Sequence, residues 1–158
     1  MARDKKEIDL NALTAKRMNS VARLLHDSFN VCRGRVLEKL ASRGHPEINL
    51  SHSVVLRHID VDGTPLSVVT KRAGVSRQAV AKVARQLEAL GYLATLPDPT
   101  DRRAKVLKLT PSGMRLFAAC IEAYEAFEGE LAQSIGRRRL EQFRNTLQMN
   151  SHGYRRDG

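Results

Sequence analysis

The spacing of apolar residues along the chain predicts a largely helical protein. Apolar side chains recur every three or four residues over 12–42, which predicts one long first helix. Ser51 is placed to cap a short second helix over 54–59. A third helix covers Leu66–Ala73 and ends at Gly74, because glycine tolerates the backbone conformation that follows a helix.

The middle of the chain changes from a helical period to an alternating one. Ser76 is placed to cap a fourth helix that runs to about Leu90, with Gly91 just past its end. Apolar and polar residues then alternate over 93–96 and 104–109, on either side of a proline-rich connection. Two alternating segments around such a connection predict a β-hairpin.

Three further segments complete the order of elements. Residues 63–65 form a turn or a short strand, a helix starts at 110–112 with proline in its tolerated first turn, and a last helix begins near Arg137. Two helices joined by a glycine turn and followed by a hairpin make a winged helix-turn-helix. The predicted fold class is therefore mainly α with a small β-hairpin wing.

Composition and charge narrow the class of protein. The 158 residues suit a single domain over 1–158, and 42% hydrophobic with 28% charged residues is typical of a globular chain. The net charge of +10 calls for an anionic partner such as nucleic acid or an acidic membrane. No apolar run is long enough for a membrane span, and residues 1–10 lack a signal peptide, so we expect a cytoplasmic protein with no membrane partner.

The positive charge is concentrated in the part that holds the predicted helix-turn-helix and hairpin. Residues 71–108 carry nine Lys or Arg against three Asp or Glu, whereas 109–136 are net acidic. A run of charges is often only a solvated face. Here it coincides with a DNA-binding arrangement, which makes 71–108 the candidate anion-binding surface.

The fourth helix has one apolar and one polar face. Advancing 100° per residue from Ser76 gathers the apolar residues on one side and places the following on the other side or its border: Arg77, Gln78, Ala81, Lys82 and Arg85. Arg and Lys can bond guanine and Gln can bond adenine in the major groove, and a small residue permits close approach. We therefore predict that this face, together with Ser76 in the first turn, binds DNA.

The tip of the predicted hairpin carries Asp101, Arg102 and Arg103. A protruding arginine can enter a narrow minor groove, where the negative potential is strongest. Asp101 either orients an arginine through a charge-assisted pair or serves only to form the turn.

Three motifs stand out within residues 66–113: Ala-Gly-Val-Ser-Arg-Gln-Ala-Val at 73–80, Pro-Asp-Pro-Thr-Asp-Arg-Arg-Ala-Lys at 97–105 and Leu-Thr-Pro-Ser-Gly at 109–113. With these motifs, residues 66–113 resemble the MarR (multiple antibiotic resistance regulator) family of transcription factors. The resemblance implies a homodimer whose end helices interlock, with dimerisation helices in 12–44 and 111–150 and the winged lobe in 50–110. It also implies DNA contacts by Ser76, Arg77, Gln78, Lys82, Asp101 and Arg103.

The resemblance further implies a small effector molecule, which in this family often lies between the dimer helices and the DNA lobe. The side chains that could line such a cleft are His26, Phe29, His52, His58 and Tyr124. The apolar residues of the end helices independently favour a dimer, because exposed they would form a large apolar patch. The alternative is that these helices pack on the lobe of their own chain.

Other chemistry is not supported by the sequence. The five histidines and Cys32 and Cys120 lack metal-ligand spacing, and the two cysteines form no disulfide framework or recognisable redox motif. Catalytic motifs are absent, so we expect no enzyme, no metal and no cofactor. The predicted function is a homodimeric repressor that binds double-stranded DNA at an inverted repeat and responds to an effector. The alternative is a nucleoid-type structural protein that binds DNA regardless of sequence.

Overall fold

A computed structural model describes residues 9–98, 101 and 104–153. The helices are α1 (Leu10–Met18), α2 (Val21–Ser42), α3 (Ser53–Leu56), α4 (Leu66–Ala73), α5 (Arg77–Ala89), α6 (Pro111–Ile135) and α7 (Arg137–Gly153). The strands are β1 (Thr64–Pro65), β2 (Leu93–Pro97) and β3 (Lys105–Leu109). This order confirms the mainly helical fold class with a small β wing. No helix in these described ranges is long and apolar enough to cross a membrane.

The chain divides into two compact units, and the boundary falls inside α2 between Gly34 and Arg35. The first unit contains α1 and the start of α2. The prediction of one helix over 12–42 is wrong here, because α1 ends at Met18 and α2 begins at Val21. Ser20 explains the break: its hydroxyl donates to the carbonyl of Arg17 and accepts the backbone N–H of Arg23 at 3.3 Å, so it closes one helix and caps the next.

The second helical prediction also needs correction. α3 is a single turn, and Ser51 does not cap it, because the Ser51 hydroxyl donates to the side-chain oxygen of Asn49 at 2.6 Å. The segment around α3 is still part of the core, since Val55 and Ile59 are buried. Ile59 lies beyond the helix, so the predicted helix over 54–59 ends earlier than expected.

The helix-turn-helix consists of α4 and α5. Gly74 ends α4 in the left-handed conformation with φ of +65°, which an L side chain rarely adopts. Ser76 then caps α5 by accepting the N–H of Ala79 at 3.2 Å. At the other end, Tyr92 N–H donates to Leu87 O across Gly91, which has φ of +75°. Both ends of α5 are thus fixed as the sequence predicts.

The three strands form one antiparallel sheet in the order β1-β3-β2. The predicted hairpin is confirmed as β2 and β3, paired from Leu93 opposite Leu109 to Pro97 opposite Lys105. The segment predicted as a turn or a short strand is a strand, with Thr64 opposite Leu107. β1 precedes the helix-turn-helix in sequence and pairs with β3 of the wing after it, so the sheet joins the segments that flank α4 and α5.

The core of the second unit lies between the helix-turn-helix, the sheet and the start of α6. The largest fully buried side chains are Val55, Val69, Val80, Leu87, Leu107 and Leu116. Thr110 caps α6 by accepting the N–H of Gly113 at 3.0 Å, with Pro111 in the first turn as predicted. The wing therefore leads into the 25-residue α6 with only one residue between them.

Candidate nucleic-acid interface

The recognition face of α5 is exposed. Val80, Val83, Ala84 and Leu87 are buried against the lobe, whereas Arg77, Gln78, Lys82 and Arg85 are exposed and Ala81 is partly buried. This division follows the helical periodicity of the sequence. Within the described part of the chain, none of the four exposed polar side chains has a hydrogen-bond or ion-pair partner. Three cations and one amide are therefore available to an external acceptor or donor.

A cleft of about 570 Å³ separates α5 from the wing. Its polar lining includes Arg77 and Arg85 from the helix and Lys105 from β3, with Glu88 as its acidic residue. Leu66, Ala84 and Leu107 supply part of its apolar wall. The helix and the wing thus belong to one continuous, predominantly cationic surface.

Lys105 is a candidate site residue that sequence reasoning missed. It is exposed on β3 and lines the cleft opposite α5. The signal that could have found it is its position at the start of an alternating strand, directly after the basic tip of the hairpin. We add Lys105 to the candidate phosphate-binding residues.

The wing tip is described only in part. The backbone N–H of Ala104 donates to the carbonyl of Asp101 at 2.8 Å, and Asp98 N–H donates to Ala104 O at 3.1 Å, which closes the tip. Asp101 is exposed, as a DNA-facing residue has to be. Arg102 and Arg103 lie outside the described residues, so their predicted minor-groove contact stays a prediction.

The cap of α5 provides a test that separates folding from DNA binding. We expect Ser76→Ala to destabilise the protein by about 1 kcal/mol, because the Ala79 N–H loses its acceptor. Ser76→Asp retains an acceptor and suits the positive end of the helix dipole, so its stability should stay near that of the parent. The added negative charge should nevertheless weaken duplex binding. Urea unfolding and duplex titration of both variants check this; a Ser76→Asp variant that binds DNA as well as the parent would place this end of α5 away from the phosphates.

An ion pair fixes the end of α4 to the loop before β1. Arg72 donates to the carboxylate of Asp60 at 2.7 Å and to the carbonyl of His58 at 3.1 Å. The Thr64 hydroxyl accepts the Asp60 N–H at 2.8 Å and donates to the same carboxylate. This network joins the sheet to the helix that precedes the Gly74 turn, and so helps to orient α5.

The Asp60 network predicts a specific acid dependence of stability. The hydrogen bond from Arg72 is the main cause that lowers the pKa of Asp60 from its ordinary 3.8. A carboxyl group whose pKa is lower in the folded state than in the unfolded state stabilises the fold at pH values above its unfolded pKa. This contribution is lost as the pH falls from the unfolded pKa through the folded pKa. We expect Asp60→Asn to be less stable than the parent at neutral pH and the difference to disappear in acid.

The matched control is Asp62→Asn in the same exposed loop, since no ion pair to Asp62 is formed by the described residues. It should leave both the neutral stability and its pH dependence close to those of the parent. Urea unfolding at several pH values measures the three proteins. Identical pH profiles for parent and Asp60→Asn would contradict the role of the ion pair.

The five residues predicted to line an effector cleft are not gathered in the described cavities. His26 and Phe29 are exposed in the first unit, and Tyr124 is exposed on α6. His52 is a core residue, and its Nδ1 atom accepts the N–H of Asn49 at 3.3 Å. Burial is the main cause that lowers the pKa of both His52 and His58. None of the five lines the α5–wing cleft, and their shared role stays a prediction.

The cysteines and the metal-ligand residues show no second site in the described ranges. Burial raises the pKa of the Cys120 thiol, which keeps it protonated and poorly reactive. Among residues 9–98, 101 and 104–153, no cluster of three His, Cys, Asp or Glu side chains could hold a metal ion.

Several solved structures share this fold. A MarR family transcriptional regulator from Rhodococcus sp. RHA1 matches with a TM-score of 0.65 and 24% identity, covering 81% of this chain and 89% of that chain. CouR from Rhodococcus jostii RHA1, solved with p-coumaroyl-CoA bound, has a TM-score of 0.64 at 24% identity over 82% and 90% of the two chains. Wild-type MarR from E. coli has a TM-score of 0.68 at 20% identity over 82% and 95%.

The helix-turn-helix, the wing and these likenesses define a winged helix-turn-helix protein. Residues 47–104 match the family model described as MarR family. This match covers the predicted DNA-binding lobe and confirms the resemblance seen in the sequence. Uncharacterized proteins of Mycobacterium tuberculosis and Mycobacterium bovis are 27% identical over 132 residues, or 82% of this chain and 90% of each relative.

Proposed function

We propose that this protein is a homodimeric repressor that binds an inverted-repeat operator and is tuned by a small effector. The observation that carries the DNA-binding part is the outward face of α5, where Arg77, Gln78, Lys82 and Arg85 are exposed beside the cationic wing cleft. The helix can present these side chains to a major groove while the wing reaches the adjacent backbone.

Base reading is favoured over sequence-indifferent binding by two residues of α5. A protein that only coats phosphates needs cations, whereas Gln78 offers an amide that matches the edge of adenine. The small side chain of Ala81 next to it allows the helix to approach the bases. A nucleoid-type structural protein is the alternative, and it would use the same cations without the amide.

Selection of bound duplexes from a random DNA pool distinguishes these two functions. We expect an enriched inverted repeat with half-sites about 10 base pairs apart, because a two-fold dimer places two recognition helices one helical turn apart. Transcription in vitro from a promoter carrying the selected site should then fall when the protein is added. A bound pool with no enriched sequence would favour the structural protein.

The homodimer is supported by the exposed apolar residues of α6 and α7. Met114, Phe117, Ile121 and Tyr124 follow one another at intervals of three or four residues, so they form one stripe, and each is 39–53% exposed. Phe143 and Leu147 of α7 are also exposed. Intramolecular packing within the second unit does not cover this stripe, and a second copy of the chain would do so. The predicted dimerisation helices in 12–44 and 111–150 therefore remain our proposal.

Charge placed in this stripe should break the dimer. We expect Phe117→Glu combined with Ile121→Glu to convert the protein to a monomer, because two buried carboxylates would lack partners. Gln133→Glu, exposed on the opposite side of α6, is the matched control and should remain dimeric. Sedimentation at micromolar concentration measures the mass. A parent chain that sediments as a folded monomer of 17.7 kDa would rule out the homodimer.

A further inference from the structure

Three consecutive arginines begin the last helix of the protein. Arg137, Arg138 and Arg139 form the first turn of α7, directly after Gly136, and all three are exposed. These three residues are called the α7 patch. Among residues 9–98, 101 and 104–153, none of the three guanidinium groups has a hydrogen-bond or ion-pair partner. The patch therefore carries positive charge that the described part of the chain does not neutralise.

The acidic side chains beside the patch leave most of its charge uncompensated. Glu128 and Glu141 are both paired with Arg144, at 2.9 Å and 3.5 Å. Glu125 lines the same cavity of about 420 Å³ as Arg137, between α6 and α7, but within the described ranges no ion pair joins them. The patch is thus available to an anion from outside the chain.

The patch is placed where it disfavours its own helix. The first turn of α7 holds no acidic residue, and the positive end of a helix dipole repels cations. By contrast, α1 and α4 carry their cations in the last turn, where the dipole favours them. Local helix stability therefore does not account for three arginines at this position, whereas an external polyanion would.

Helical periodicity directs the patch away from α6. Leu140 is buried beside the cavity between the two helices and marks the side of α7 that faces α6. At 100° per residue, Arg138 lies about 160° from Leu140 and Arg139 about 100° from it. Gln142 follows Arg138 by four residues, so it lies on the same outward side, and it is exposed. An extended partner can therefore reach two arginines and an amide without entering the protein.

The surroundings of the patch favour nucleic acid over protein or membrane. Between 133 and 142 every exposed residue is polar or glycine, and the apolar Ile135 and Leu140 are at least partly buried. The core of a protein interface needs apolar anchors, and a membrane-surface helix needs apolar side chains beside its cations. A phosphate backbone needs only cations, and the guanidinium group can bind it through two parallel hydrogen bonds.

The patch is remote from the candidate nucleic-acid interface. α6 starts one residue after the wing, and its 25 residues span about 36 Å, so α7 begins at the far end of a long helix. Interactions between exposed charges are largely screened beyond a Debye length of about 8 Å at physiological ionic strength. The patch therefore adds little to the binding of a duplex held by α5, and a duplex that it binds itself is a separate segment.

We propose that the α7 patch is a second DNA-binding surface, which binds the phosphate backbone without reading bases and lets one protein hold two duplex segments. Guanidinium groups that contact only phosphate oxygens accept any sequence. Binding of a duplex by the patch does not require α5, whereas the bridging of two segments rests on the DNA-binding function proposed above.

Capture of a second duplex tests the bridging. An immobilised duplex is saturated with the full chain, washed, and exposed to a labelled duplex of unrelated sequence. We expect capture by the parent, with an association constant that falls about 40-fold between 50 and 200 mM salt, because three phosphate contacts give a slope of about −2.7. Absence of capture at the lower salt concentration would overturn the bridging.

Removal of two arginines locates the second surface. Arg138→Gln combined with Arg139→Gln should weaken capture by at least about tenfold at low salt and make the slope shallower by about two units. Its stability in urea should not fall, because two cations leave the positive end of a helix. Lys16→Gln combined with Arg17→Gln removes two exposed cations from α1 and is the charge-matched control. Equal losses in both variants would mean attraction by net charge and would overturn the assignment.

A variant without the cations of the α5–wing cleft separates the patch from the proposed function. This cleft variant combines Arg77→Gln, Arg85→Gln and Lys105→Gln. We expect it to keep residual binding of a scrambled duplex at low salt, and the two α7 substitutions to abolish that binding. Residual binding that survives them would overturn the patch. A parent that fails to saturate the immobilised duplex would contradict the proposed function, while the cleft variant would still decide the patch.

Two other polyanions test the class of partner. Vesicles containing phosphatidylserine represent a membrane surface, and polyglutamate represents an acidic protein. At equal concentration of negative charge, the cleft variant should bind the duplex more tightly than either, because the patch has no apolar side chains to add. Tighter binding of vesicles or polyglutamate that disappears with Arg138→Gln and Arg139→Gln would overturn the assignment to DNA.

Discussion

Replacing Gly113 by alanine should destabilise this protein by about 1–3 kcal/mol or more, the largest effect we expect from a single methyl group. A Cβ atom at this position would lie 2.1 Å from the carbonyl oxygen of Tyr92 and 3.1 Å from a methyl group of Leu109. The first neighbour is backbone, held by the Tyr92 to Leu87 hydrogen bond, so it cannot rotate away. Either α6 or the base of the wing has to move.

Gly129 of the same helix provides the matched control. Nothing lies within 4 Å of a Cβ atom there, so Gly129→Ala should stabilise the protein by up to about 1 kcal/mol through helix propensity. Urea unfolding followed by circular dichroism measures both variants. If Gly113→Ala unfolds at the same urea concentration as the parent, the close approach of α6 to Tyr92 is absent in solution.

Replacing Gln78 by alanine should weaken binding to the selected operator by about 1–3 kcal/mol per half-site and relax the preference at one base position. Gln78 is exposed on the outward face of α5, in its first turn. Gln86 has the same side chain, is also exposed and lies more than two turns further along the helix. Gln86→Ala should therefore leave base preference unchanged.

Arg85→Ala should have a different signature from Gln78→Ala. Arg85 lies two turns along α5 and lines the wing cleft, where we expect it to face the phosphate backbone. Its loss should weaken binding to specific and scrambled duplexes alike. The slope of log K against log salt concentration should also become shallower by about one unit. Titrations of both duplexes at several salt concentrations separate the two residues. Equal losses on both duplexes for Gln78→Ala would remove its base-reading role.

Local sequence determined most of the helix-turn-helix. Ser76 and Thr110 cap their helices because their hydroxyl groups accept a backbone N–H three residues later, and such contacts need no distant partner. Gly74 and Gly91 end their helices for an equally local reason, since their positive φ suits glycine. The exposed face of α5 follows from helical periodicity alone.

Competition among local hydrogen bonds limited the prediction at the two corrected helices. The apolar spacing over 12–42 continues through Ser20, and periodicity cannot tell whether a serine hydroxyl will bond to its own helix or cap the next. Likewise, Ser51 has the chemistry of a helix cap, but its hydroxyl donates to the side-chain oxygen of Asn49 instead of capping α3. In both places side-chain geometry decided the boundary.

Only the tertiary structure decided which distant segments meet. β1 pairs with β3, more than forty residues later, because the fold brings Thr64 opposite Leu107, and two residues carry no signal for such a partner. The glycine of the Leu-Thr-Pro-Ser-Gly motif could be recognised in the sequence. Only the structure shows why glycine is needed there: the carbonyl oxygen of Tyr92 lies against Gly113 and leaves no room for a Cβ atom. The Arg72–Asp60 and His45–Tyr92 contacts arise in the same way. Caps and helix faces depend on neighbours in the chain, whereas strand pairing, close approach and side-chain contacts across the core depend on packing.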